Sequence, residues 1–359
     1  MTDSTKDPVI VVLQLSGGND YMNTVVPHSN SQYRDYRPNV NIAEHEVLHL
    51  NNEIGFHPSM APLAEMYREG NVAIIHGVGY ENSPRSHFRS MDIWHTCEPE
   101  TLGTEGWLGR AVNHIDPNKE NVVTAVSMGP SLFRALVAPG VPVATVENLD
   151  NYGLLTDISP EEKRDRVLDR YKRIYSPMIG SGPVMDFLGQ TGLDALKGAD
   201  MLRTAPDGYS SGVEYASNPL ADKLKDVSKV LLAGLGTRIF YTEHGGFDTH
   251  ANQANSHTNL MRQVGDALNA FYTDMKAQGN QGIQKDPRLG QGAQQGTPHK
   301  RQRPRGHGLQ CTVPQHVAPA SRLRSQEALA TQPQSLDQLL EIGIAELHAR
   351  WAFVEDEAL

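Results

Sequence analysis

"VIVVLQLSGGND", residues 9–20, decides the reading of this chain. A continuous apolar, β-branched run, broken only by Gln14, has the character of a strand buried on both faces. It stops at Ser16-Gly17-Gly18-Asn19-Asp20. Glycines let a chain turn sharply and let a ligand approach its backbone. A carboxylate at such a corner suits a hard metal or zinc. An Asx turn or a helix cap by Asn19 or Asp20 explains the same residues.

The rest of the first 280 residues alternates strand and helix. Ser59–Arg68 carries Met60, Leu63, Met66 and Tyr67 at helical spacing and ends at Gly70. Asn71–Val78 is a second expected strand, and Gly106–Ile115 a short helix. Asn121–Met128 and Val141–Val146 are further strands. Ser159-Pro160-Glu161-Glu162 is a capping box that starts a helix running to about Tyr175. Asn218–Leu235 is an amphipathic helix, Thr237–Thr242 a strand and His257–Lys276 a long helix. Such alternation predicts an α/β fold, a mostly parallel sheet with helices on both faces.

Three regions differ in charge. Residues 1–280 hold 23 basic against 34 acidic side chains, residues 281–335 hold 8 against 2, and residues 336–359 hold 1 against 6. The middle region, rich in Gln, Arg, Pro and Gly, has neither helical nor strand periodicity and reads as loosely ordered. Residues 336–359 have the composition of a C-terminal helix. The expected organisation is thus an α/β domain over 8–279, a low-order segment over 280–335, and that helix.

A net charge of −10 disfavours nucleic acid as a partner. No apolar run approaches the ~20 residues of a membrane span, so no membrane partner is expected. "MTDSTKDP" has no basic n-region or apolar h-region, and a cytoplasmic location is the expectation. Cys97 and Cys311 make no disulfide framework.

In an open parallel sheet, ligands bind beyond the carboxyl ends of the strands. Besides the corner at Asp20, two other strand ends carry chemistry. After Asn71–Val78 comes "GVGYENSPRSHFRSMDIWHT", with Ser83 and Ser86 before a helical stretch, Phe88–His95. A serine at a helix N-terminus sits among unpaired N–H groups at the positive dipole end. That suits a nucleophile or a bound anion, with Arg85 and Arg89 adding positive charge. An ordinary N-cap is the alternative. After Thr237–Thr242 comes "TEHGGFDTHANQANSH", with His244, Asp248, His250 and His257. Asp and His together form a borderline-metal ligand set; a polar loop with exposed histidines would look similar. Gly208-Tyr209-Ser210-Ser211-Gly212 matches G-x-S-x-G, but no strand precedes it and no helix follows it directly, so it reads as a loop. His49, His57, His76 and His114 show no usable partner pattern.

"LQLSGGNDYMNTVVP", "GFHPSMAPLAEMYREGNVAIIHGVGY", "SPRSHFRSMDIWHT", "GWLGRAV" and "HGGFDTHANQ…H" together resemble the family known as domain of unknown function 1501, over roughly residues 8–279. That family is grouped with the alkaline phosphatase and sulfatase superfamily. The resemblance implies a three-layer alkaline phosphatase-like sandwich and a metal-dependent hydrolase of phosphate or sulfate esters. It implies a small anionic ester as substrate and a divalent metal ion: zinc, manganese, magnesium or calcium. Asp20, Asp248 and His250 would be metal ligands, with His257 a neighbour. Ser86 would hold the nucleophile's place, with Ser83 as second choice and Arg85 beside it.

The chain departs from the family after Lys276. There the family shows a strand, a Glu-Phe-Gly-Arg segment and an Asp-His-Gly motif with further metal ligands; none is in this sequence. The abrupt shift to Arg/Gln/Pro-rich text is what a segment read from a shifted frame would produce. The C-terminal part of the fold is therefore expected to be irregular or incomplete. The alternative function is a non-catalytic binding protein that uses the same crevice for an anionic ligand or partner.

Overall fold

The computed structural model describes residues 8–80, 82–83, 86–153, 161–279 and 351–353. Strand β1 (Ile10–Leu15) leads through the short helix α1 (Tyr21–Thr24) to β2 (Val25–Val26), helix α2 (Ser31–Tyr36), β3 (Leu48–His49) and β4 (Gly55–Phe56). Helix α3 (Ala61–Arg68) and β5 (Val72–Ile74) follow, then α4 (His87–Thr96), α5 (Trp107–Ile115), β6 (Ala125–Met128) and β7 (Ala144–Val146). The second half comprises α6 (Glu161–Tyr175), α7 (Pro183–Arg203), α8 (Pro219–Leu232), β8 (Ile239–His244), α9 (Gln253–Ala277) and β9 (Trp351–Phe353).

The central sheet has the order β1-β8-β6-β7, with every pairing parallel. Strand side chains alternate between faces, and β8 makes the consequence visible. Ile239 and Tyr241 join Leu108 and Val112 of α5 and Phe133 and Leu136 in one buried cluster. Phe240 points the other way, into the larger core with Leu220, Leu224, Val227 and Val230 of α8 and Met261, Val264 and Leu268 of α9. The sheet is covered by helices on both faces, as the alternating pattern predicts.

Local signals explain the helix limits. Asn218 caps α8 by accepting the Ala221 N–H at 3.0 Å, and Pro219 occupies the first turn, where its missing N–H costs nothing. Gly70 takes φ +79° just beyond α3, a backbone state glycine reaches without strain. At Gly106, before α5, a Cβ would stand 2.2 Å from the carbonyl oxygens of Arg134 and Ala135. Only glycine lets α5 dock against that segment.

Several expectations change. β1 is half-buried along its whole length, not enclosed, because no other described strand pairs with its outer side in the central sheet. The strand expected over 71–78 shrinks to Val72–Ile74 and leaves the central sheet to pair in parallel with Trp351–Phe353. Those three residues are strand where a helix was expected; aromatic side chains favour that state. The rest of the expected C-terminal helix, and the whole of 280–335, lie outside the described residues. The 21-residue helix α7 had no forecast: Gly189, Gly192 and Gly198 interrupt its pattern. A Cβ at Gly192 would collide with the Tyr175 ring at 2.5 Å, and one at Gly189 would press on Met178 Cβ and the Tyr175 carbonyl oxygen at 3.0 Å.

Candidate functional site

All four strands of the central sheet run the same way, so the turns after β1 and β8 leave one edge side by side. Leu15 is in register with His244, and the Ser16 N–H donates to the His244 carbonyl at 2.9 Å. The Phe247 N–H donates back to the Ser16 carbonyl at 3.3 Å. Gly17, at φ +112°, lies so tightly under the second turn that a Cβ would stand 2.6 Å from the Asp248 amide nitrogen. Two of the three strand ends singled out in the sequence therefore form one corner.

His257 reaches this corner from α9 and is 2 % exposed. Its Nε2 lies 3.0 Å from Asn19 Oδ1. A carbonyl oxygen can only accept, so Nε2 carries the proton and Nδ1 keeps a bare lone pair. That Nδ1 is buried and makes no hydrogen bond among the described residues. Burial, and then the nearby Arg37 guanidinium, lower the His257 pKa to about 4. His57 packs edge-on against it, with ring centroids 5.6 Å apart. Its pKa also falls to about 4, through burial first and then His257. Both imidazoles are neutral at pH 7, the state that binds metals.

Asp20 is more committed than the sequence suggests. Arg37 and Gln253 both donate to its Oδ2. It does not cap α1 with its side chain, and the Asn19 amide instead donates to Thr24 Oγ1 at 2.9 Å. Asp248 and His250 pair with each other at 3.0 Å, yet His250 is 84 % exposed. These two face solvent and do not converge on His257.

The serine strand end behaves differently. Ser86 is the N-cap of α4 and accepts the Arg89 N–H over a long 3.5 Å. Ser83 is an exposed loop residue, and Arg85 lies outside the described residues. Arg89 does not wait for an anion: it pairs with Asp92 and donates to the carbonyls of Glu98, Pro99 and Thr101. The opposite end of α4 touches the sheet, through His95 Nε2 and Gln14 Oε1 at 2.8 Å. Ser86 is thus roughly 13 Å along the helix axis from that contact, at 1.5 Å per residue. Replacing Ser86 with alanine is expected to lower stability by about 0.5–1 kcal/mol, the low end for a lost cap; urea titration of both proteins measures it.

Sequence reasoning missed a polar group on the same sheet end. The Tyr241 hydroxyl donates to Gln14 Oε1 at 2.5 Å, Gln14 Nε2 to Ser16 Oγ at 2.5 Å, and Ser16 Oγ to Glu243 at 2.9 Å. Burial, then the Arg134 charge, lower the His95 pKa, against the pull of Asp92 and Glu243. The available signal was Gln14, one polar residue inside an apolar strand. Arg37 and Gln253 gave none, because their role depends on a partner far away in sequence.

Among the described residues no group of three or more His, Cys, Asp or Glu side chains is placed to hold a metal ion. His257 Nδ1 and the Asp20 carboxylate are the two donors on offer, and Arg37 already neutralises the second. A catalytic zinc takes three protein ligands, so the described residues do not complete such a site.

The fold and this corner define an α/β protein whose β1 and β8 turns meet beyond the carboxyl ends of a parallel sheet. Residues 216–281, which span α8, β8 and α9, match the family model described as "Protein of unknown function (DUF1501)". The match covers the β8 turn and His257, and it is shorter than the 8–279 over which the motifs resemble that family. No curated protein and no solved structure matches the chain. No helix among the described residues is long and apolar enough to cross a membrane.

Proposed function

We propose that this chain is built as a metal-dependent hydrolase of phosphate or sulfate esters, on an alkaline phosphatase-like sandwich, with part of its metal site lacking. The observation that carries the reading is His257: a buried, neutral imidazole with an unbonded Nδ1, set where the β1 and β8 turns meet. An orphaned buried acceptor is costly, and a ligand at this corner would satisfy it. The missing Asp-His-Gly motif accounts for the incomplete ligand set.

The expected result is at most weak hydrolysis of p-nitrophenyl phosphate or sulfate, as an incomplete ligand set allows, that depends on added zinc, manganese, magnesium or calcium. It should fall to background in His257→Ala. Ser86→Ala should lose turnover while still binding inorganic phosphate or sulfate, if Ser86 serves as nucleophile as well as cap. Failure of all four ions to bind or to support turnover would sink the hydrolase reading. The second reading would then stand: a non-catalytic protein that holds an anionic ligand or partner in the same crevice. The pairing of Asp20 with Arg37, which leaves that carboxylate neutralised without a metal, favours it.

A further inference from the structure

Half of the large apolar side chains that stand exposed on the described surface fall within residues 171–188. They are Tyr171 and Ile174 at the end of α6, Ile179 in the connection, and Val184, Met185, Phe187 and Leu188 at the start of α7. Phe187 is 62 % and Val184 71 % exposed. Exposed single apolar residues are ordinary, but a contiguous set marks an interaction site. The hairpin gathers this set at one end. Gly192 lies against the Tyr175 ring, where a Cβ would come within 2.5 Å, and Gly189 against Met178 and Ile179. α6 and α7 are therefore closed together just behind these residues.

Charge identifies the occupant. The chain carries −10, yet residues 166–188 hold Arg166, Arg170, Lys172 and Arg173 against Asp169 and Asp186. All four basic residues are exposed. Asp186 is occupied, accepting the Gly180 N–H at 2.5 Å, and Asp169 stands 3.8 Å from Lys172. An apolar tip with a basic collar on an acidic body matches an anionic lipid surface. Apolar side chains enter the acyl boundary, Arg and Lys meet the headgroups, and the acidic remainder is held away. A second copy fits worse, because tip-to-tip contact would set the two basic collars against each other. A neutral protein partner fits worse too, since it would leave the exposed Arg166, Arg170, Lys172 and Arg173 unmatched, whereas anionic headgroups meet them.

We propose that the α6–α7 tip is a peripheral docking surface for an anionic lipid bilayer, held by Tyr171, Ile174, Val184, Phe187 and Leu188 within the collar of Arg170, Lys172 and Arg173. This departs from the expectation of no membrane partner, which excluded only a spanning segment. It does not depend on the proposed activity.

The test is co-sedimentation of the full chain with vesicles of phosphatidylcholine alone and with about 30 % phosphatidylserine. Wild type should partition to the anionic vesicles and be released as salt rises to about 0.5 M, which screens surface charge. V184E/F187E, two changes at exposed positions, should weaken partitioning at least tenfold. R170E/R173E should remove the preference for phosphatidylserine, and it supplies the answer should the first variant misfold by circular dichroism. Wild type that stays in the supernatant with both vesicles overturns the proposal, as does V184E/F187E that partitions like wild type. A concentration-dependent dimer broken by V184E/F187E, with no vesicle binding, would assign the tip to self-association and likewise overturn it.

Discussion

Asp274→Ala is expected to cost about 4 kcal/mol of folding stability, a large share of what a domain has. The carboxylate sits on α9 with no solvent exposure. Its Oδ2 accepts the hydroxyls of Tyr209 at 2.7 Å and Tyr215 at 2.8 Å, and its Oδ1 accepts Ser211 Oγ at 2.6 Å. Hydrogen bonds to a charged group contribute about 1.5–3 kcal/mol each, and stranded buried hydroxyls add a penalty. Burial alone would raise the Asp274 pKa, but the bonds from Ser211, Tyr209, Tyr215 and Gln278 together outweigh it and hold it below its ordinary value. The Tyr209 phenol is pushed up to about 12 in return, by burial first and then by Asp274.

A carboxylate whose pKa is lower folded than unfolded stabilises the fold above the unfolded value and loses that contribution as pH falls through the folded one. Asp274→Asn keeps the shape and removes the titration. The stability gap between wild type and Asp274→Asn should be widest at neutral pH and should close on acidification, in denaturant midpoints measured from pH 7 to pH 3. A gap that stays constant over that range would mean the four donors do not stabilise the charged form.

The same contacts explain why Gly208–Gly212 is a tethered loop and not a nucleophile elbow. Tyr209 and Ser211 are a clasp that ties a loop to α9, and Gln278 Nε2 adds a 2.6 Å bond to the Ser210 carbonyl. A loop is what the sequence predicted there, but not its role, because the acceptor lies more than 60 residues on. Legibility followed this rule throughout. β1, α5, α8 and α9 were readable because apolar period and caps are local. The placement of β5 was not, since which strands pair is decided by distant residues. Of the site, the Gly-Gly corners were legible as turns and His257 as a neighbour. The Asp20–Arg37 pair and the solvent-facing Asp248–His250 pair were not, because a ligand-type residue does not announce which partner will claim it.

Gly17→Ala is expected to cost about 3 kcal/mol and to open the corner where the two strand-end turns meet. Two penalties combine. At φ +112° an L-residue is strained, by about 1–3 kcal/mol. The new Cβ would also stand 2.6 Å from the Asp248 backbone nitrogen, and backbone cannot swing aside as a long side chain can, so overpacking adds about 1–3 kcal/mol. Gly18 is the internal control. It has φ +74° and nothing within 4 Å of a Cβ, so Gly18→Ala bears strain alone and should cost about 1 kcal/mol. Urea midpoints of the two variants compare them directly. The readout at the site is separate: Gly17→Ala should expose His257 to solvent, so its pKa, followed by imidazole proton NMR, should rise from about 4 toward its ordinary value. Equal destabilisation by the two alanines, with His257 unmoved, would show that the Gly17–Asp248 contact does not hold the two turns together.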